Sequence, residues 1–182
     1  MRLGNEAQAW GPVAKVLHWL IALMIVGQLA TGWLAENETN REAGYVLIRN
    51  HFQFGIVLTG LILMRALWRL SHRPPEPPPR EPRWREHAAR VVHGLIYLAL
   101  ITLPIAGYIV WVHMKADMDV FGLFTVPTLF TPPVEDERLR AGAWYVHYFA
   151  GWTLIGLVGL HVAAALFHQF IVRDGLIRRM TG

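Results

Sequence analysis

The run from Ala141 to Val172 contains no Asp, Glu, Lys or Arg. At a rise of about 1.5 Å per residue it crosses a hydrocarbon core roughly 30 Å thick, with residues to spare for tilt or an interfacial end. It reads as a transmembrane helix. Yet it carries three imidazoles, His147, His161 and His168, spaced 14 and 7 residues apart. At 100° per residue these spacings return to within about 40° and about 20° of the starting direction, so all three share one face. Polar side chains within a bilayer are costly and normally face protein, which makes a stripe of them a candidate functional site. His147 and His161 stand about 21 Å apart along the axis, one near each side of the core.

The rest of the composition agrees with a membrane protein. The chain has 182 residues, 54% of them hydrophobic, and a mean hydropathy of +0.32. One integral membrane domain, 1–182, fits this length. There is no cysteine, which excludes a covalent CxxCH haem, a thiolate-held iron–sulfur cluster and any disulfide. The net charge of +4 does not point to nucleic acid, because the bases flank apolar spans rather than covering a solvated surface.

Three further spans precede the last. The first is predicted at about 12–35, uncharged between Lys15 and Glu36, with His18 at its start. Its apolar run is too long for the core of a signal peptide, so it reads as a retained helix. A polar loop, Glu36 to Gly44, leads to a second helix at about 45–70, with His51 near its beginning and Arg65 and Arg69 near its end. Those two arginines share a face; they either snorkel to the interface or pair bidentately with carboxylates of a bound group. Ser71 to Glu86 holds six of the eleven prolines and reads as an extended surface connector. The third helix, about 87–114, contains Pro104, which is expected to kink it. His93, one turn inside, is either a structural imidazole or a contact of a bound group. Ala116 to Arg140 is a longer loop before the fourth helix, 141–172.

Four spans put both termini on one side. That side carries 12 Lys/Arg against five Asp/Glu, the opposite loops five against eight, for local net charges of +7 and −3. By the positive-inside rule the termini are cytoplasmic. His18 and His161 then share the inner level, His51 and His147 the outer one. Two imidazoles facing one another between helices can ligate an iron from both axial positions, with Gly55, Gly151, Gly156 and Gly159 permitting close approach of a porphyrin. Four histidines at matching depths therefore predict two b-type haems in an all-α, integral membrane four-helix bundle. Isolated membrane histidines can instead bond to carbonyls or hydroxyls of neighbouring helices. His168, about 10 Å beyond His161 at the headgroup level, is either an interfacial anchor or a contact for a quinone. With no carboxylate or cysteine at these depths, a zinc or di-iron site is disfavoured.

Nearly the whole chain resembles the bacterial cytochrome b561 family of small four-helix dihaem proteins. The resemblance is carried by LHW at Leu17 to Trp19, His51 early in helix two, HGLIYLALITLPIAGY from His93, and GLHVAAALFHQF from Gly159. It implies haem ligation by His18, His51, His147 and His161, and electron exchange with membrane quinone on the cytoplasmic side, where His168 matches a position near the family's quinone site. It also implies the bacterial inner membrane. One member is a superoxide oxidase, passing electrons from periplasmic superoxide to ubiquinone; the same oxidoreductase activity is the leading expectation here. The net-negative outer loops would repel superoxide unless Arg41, Arg49, Lys115, Arg138 and Arg140 gather into a positive patch. The alternatives are a cytochrome b relay subunit of a larger dehydrogenase or hydrogenase, taking electrons from a docked redox protein, and a transporter or structural bundle without cofactor.

Overall fold

A computed structural model describes residues 9–76, 82–132 and 137–182. Four long helices dominate it: α1, Pro12–Asn37; α2, Arg41–Ser71; α3, Arg83–His113; and α4, Glu137–Phe167, which continues into a π-helical turn, His168–Val172. Each is long and apolar enough to cross a membrane. The protein is an all-α membrane bundle.

Local chemistry accounts for the helix ends. Pro12 occupies the first turn of α1, where its fixed φ and missing donor cost nothing. Asn40 caps α2, its side chain accepting from the amides of Glu42 and Ala43. That cap starts the helix at Arg41, so the polar loop expected over Glu36–Gly44 shrinks to a few residues. α3 starts at Arg83, four residues before the expected boundary, and runs on through Pro104. α4 begins with Glu137 in its first turn, a favourable charge at the positive end of the helix dipole. Part of the proline connector, 77–81, and of the last loop, 133–136, including Glu135 and Asp136, lie outside the described residues.

Packing divides the bundle into two helical hairpins, α1 against α2 and α3 against α4, with α2 touching α3 more lightly. One apolar layer draws on all four helices: Ile21 and Ile25, Leu58 and Ile62, Ala99 and Leu100, and Leu154. A second cluster joins Phe52, Trp111 and Val112 to Met118 and Val120. The last two belong to a feature the sequence did not announce. Within the expected loop, β1 (Asp119–Val120) and β2 (Phe124–Thr125) pair antiparallel, Asp119 opposite Thr125. This small hairpin caps the end of the bundle away from the termini. Gln53 Nε2 donates to the Asp119 carbonyl at 3.1 Å and Trp111 Nε1 to that of Asp117 at 2.9 Å.

The start of α1 meets the C-terminal tail at the other end. The Trp10 amide donates to the Arg179 carbonyl at 3.2 Å and Trp19 Nε1 to that of Met180 at 3.1 Å. The tail ends in α5, Arg178–Thr181.

Candidate functional site

α4 sets the levels of the site. His147 and His161 lie on one face, with Leu154, only 2% exposed, seven residues from each. At the capped end, His147 faces His51 of α2, ring centroids 5.9 Å apart and planes at 77°. At the terminal end, His161 faces His18 of α1, at 6.2 Å and 80°. The four predicted imidazoles thus meet in the two expected pairs. Each pair spans the boundary between the helical hairpins.

The spacing fits a metal held from both sides. Two metal–nitrogen bonds of about 2 Å plus the half-width of each ring place trans imidazole centroids about 6 Å apart. A direct N–H···N hydrogen bond of about 3 Å would draw them to about 5 Å.

At the capped end the orientation of both rings is fixed by backbone. His51 Nδ1–H donates to the Gln28 carbonyl at 3.1 Å, with the Thr31 hydroxyl also near at 3.4 Å. The Gln28 side chain answers by donating to the His51 carbonyl at 3.0 Å. His147 Nδ1–H donates to the Leu103 carbonyl at 2.8 Å. A proton held on Nδ1 leaves the Nε2 lone pair for a metal, the usual arrangement of a ligating histidine.

Glycines back these two rings, a role separate from the close porphyrin approach expected at Gly55, Gly151, Gly156 and Gly159. A Cβ on Gly107 would come within 3.0 Å of the His147 ring, and one on Gly32 within 3.2 Å of the His51 ring. Of the four predicted from sequence, Gly55 abuts the Gln28 side chain at 3.7 Å, while Gly151, Gly156 and Gly159 have nothing within 4 Å. Only Gly151 shares the histidine face of α4; Gly156 lies on the opposite side.

The terminal-end pair has company. His93 sits 5.1 Å from His161, inside the cluster rather than alone at a rim. Arg65 Nη1 donates to the Ala14 carbonyl at 2.8 Å, leaving other donors of its fork, and Arg69 lies over the Tyr97 ring at 5.6 Å. Arg65 stands near His18 and His161, and both arginines stand near His93. His168, in the π-turn, is bonded to Asp174 at 2.5 Å, a partner not foreseen from the sequence.

At the capped end, Arg49 lies 3.7 Å from both Asp117 and Asp119, and Arg140 pairs with Glu137 at 2.6 Å. Two of the five cations expected to form a positive patch are therefore matched by carboxylates.

Comparison with known proteins defines the class. The profile of the prokaryotic cytochrome b561 family matches residues 9–182. The chain belongs to this family of membrane cytochromes, helical bundles that bind b-type haem. Among its relatives, cytochrome b561 homolog 2 of Escherichia coli strain K12 is 30% identical over all of this chain and 96% of its own length. Cytochrome b561 homolog 1 of the same organism is 28% identical over 90% of this chain and 92% of its own. A probable superoxide oxidase, CybB, of Yersinia pestis is 26% identical over 90% of each.

Proposed function

We propose that this chain is a dihaem membrane cytochrome that carries electrons across the bacterial inner membrane, oxidising superoxide on the periplasmic side and reducing ubiquinone on the cytoplasmic side. The observation that carries the reading is the pair of facing imidazole couples, with centroids at 5.9 Å and 6.2 Å, on either side of one apolar layer. The charge asymmetry of the loops supports cytoplasmic termini, so His51 and His147 would hold the periplasmic haem and His18 and His161 the cytoplasmic one. Held by these imidazoles, a b-type haem would supply one-electron transfer.

Around it the protein's own groups have separate tasks. The Gln28 and Leu103 carbonyls hold the periplasmic imidazoles in the ligating tautomer. Arg65 and Arg69 provide fixed positive charge and fork donors for haem carboxylates at the cytoplasmic level. Leu154 and its neighbours exclude water between the two levels. His168 is the contact for the quinone carbonyl and a route for its proton.

The test is direct. A pyridine haemochrome assay is expected to give two haems per chain, and His147→Ala to remove the periplasmic one while sparing much of the other; a single haem in the wild type would sink the scheme.

A second reading has an observation in its favour. The carboxylates matched to Arg49 and Arg140 weaken the attraction of a small anion and suit a relay subunit fed by a docked redox protein. Rapid haem reduction by enzymatically generated superoxide, abolished by superoxide dismutase, separates the two readings.

A further inference from the structure

His168 and Asp174 are six residues apart. In a continuous α-helix that separation turns a side chain by about 240° and carries it about 9 Å along the axis, out of reach. Two departures from helical geometry close the gap. The last turn widens into the π-helix His168–Val172, and Arg173 adopts the left-handed region at φ 58 and ψ 37, its amide donating to the His168 carbonyl at 2.7 Å. π-turns recur at functional sites, and a non-glycine residue at positive φ is held there only by its surroundings. Asp174 is thereby folded back. One carboxylate oxygen accepts His168 Nδ1–H at 2.5 Å and the other accepts the Leu176 amide at 3.0 Å. Both side chains are largely covered, 14% and 15% exposed. Burial disfavours the charged carboxylate, yet the hydrogen bonds from His168 and the Leu176 amide hold the Asp174 carboxyl below its ordinary value. Cations close to the pair in the chain or across the bundle include Arg173 in the turn and Arg85 of α3, over the Phe167 ring at 5.4 Å.

We propose that Asp174 is a positioning residue of the quinone-reducing site, accepting His168 Nδ1–H so that Nε2 is the nitrogen presented to the quinone carbonyl. The assignment rests on the reading of His168 as the quinone contact and adds the group that orients it. A carboxylate on one ring nitrogen fixes tautomer and ring direction. Reduction to quinol takes two electrons, delivered singly from two donor molecules, and two protons. His168 Nε2 takes one proton from water at the cytoplasmic face and passes it to the carbonyl oxygen; the second proton comes from water. Asp174 stays ionised throughout.

The experiment uses the full-length, haem-loaded protein in nanodiscs, with a short-chain ubiquinone as oxidant. In the wild type, 15N spectra of labelled histidine are expected to show His168 with its proton on Nδ1. Asp174→Ala should mix the tautomers and slow haem reoxidation by saturating quinone about tenfold, with haem absorbance, haem reduction and the half-saturating quinone concentration unchanged. Asp174→Asn has one acceptor oxygen in place of two, so turned toward His168 it keeps the Nδ1–H bond and gives up the Leu176 amide; it should hold the tautomer and keep clearly more of the rate than Asp174→Ala. A wild-type rate in Asp174→Ala overturns the assignment, and so does an equal loss in both variants with a raised half-saturating concentration, which marks a disordered tail. His168→Ala separates the levels. Slow reoxidation there beside a normal Asp174→Ala removes only the positioning role, whereas normal reoxidation in His168→Ala removes the quinone site itself.

Discussion

A single methyl group probes the seat of His147. An added Cβ at Gly107 would lie 3.0 Å from His147 Cε1 and 3.1 Å from Nδ1, and one at Gly32 would lie 3.2 Å and 3.4 Å from the same atoms of His51. Alanine favours a helix over glycine by about 1 kcal/mol, so neither substitution weakens its helix. What changes is the ring's position, and a site held to within about half an ångström does not tolerate that. Gly107→Ala is expected to lose about half or more of the periplasmic haem, and Gly32→Ala clearly less, as read by haemochrome and the α-band. Equal, full loading of both variants would show that these glycines do not seat the ligands. Neither was legible beforehand. A glycine in an apolar helix says nothing of what lies against it until the rotation of the neighbouring helix is known.

At the scale of elements, the layer around Leu154 separates the two histidine levels and is the place where all four helices touch. Lipid is as apolar as leucine, so truncation there forfeits packing rather than burial from water. Leu154→Ala should cost about 2 kcal/mol, the lower part of the large-to-small range, measured by denaturant titration in mixed micelles; a cost near zero would mean the layer is not tightly packed. The four spans were readable because charge-free runs of that length have few other physical uses, and the pairing of histidines because α4 carries two of them 14 residues apart. Elsewhere periodicity fails. The strands Asp119–Val120 and Phe124–Thr125 are too short to show alternation. The His168–Asp174 bond depends on a π-turn and a left-handed Arg173, both of which break the helical count beyond His168.

The whole molecule is polarised. Its terminal end gathers the tail, the start of α1 and the arginines that close α2, while the other end carries the β-hairpin and its acidic residues. Reporter fusions at Gly182 and within the proline connector at 74–79 are expected in the cytoplasm, and those at 135–140 on the opposite side; reversal would exchange the proposed donor and quinone faces. The division into two helical hairpins has a last consequence. His18 and His51 belong to one hairpin, His147 and His161 to the other, so whatever bridges each couple also fastens the halves. Under the proposed function the bound group would be a clasp as well as a conductor. Under the proposed dihaem reading, chains lacking haem would be without that fastening and are expected to unfold at lower denaturant than loaded ones.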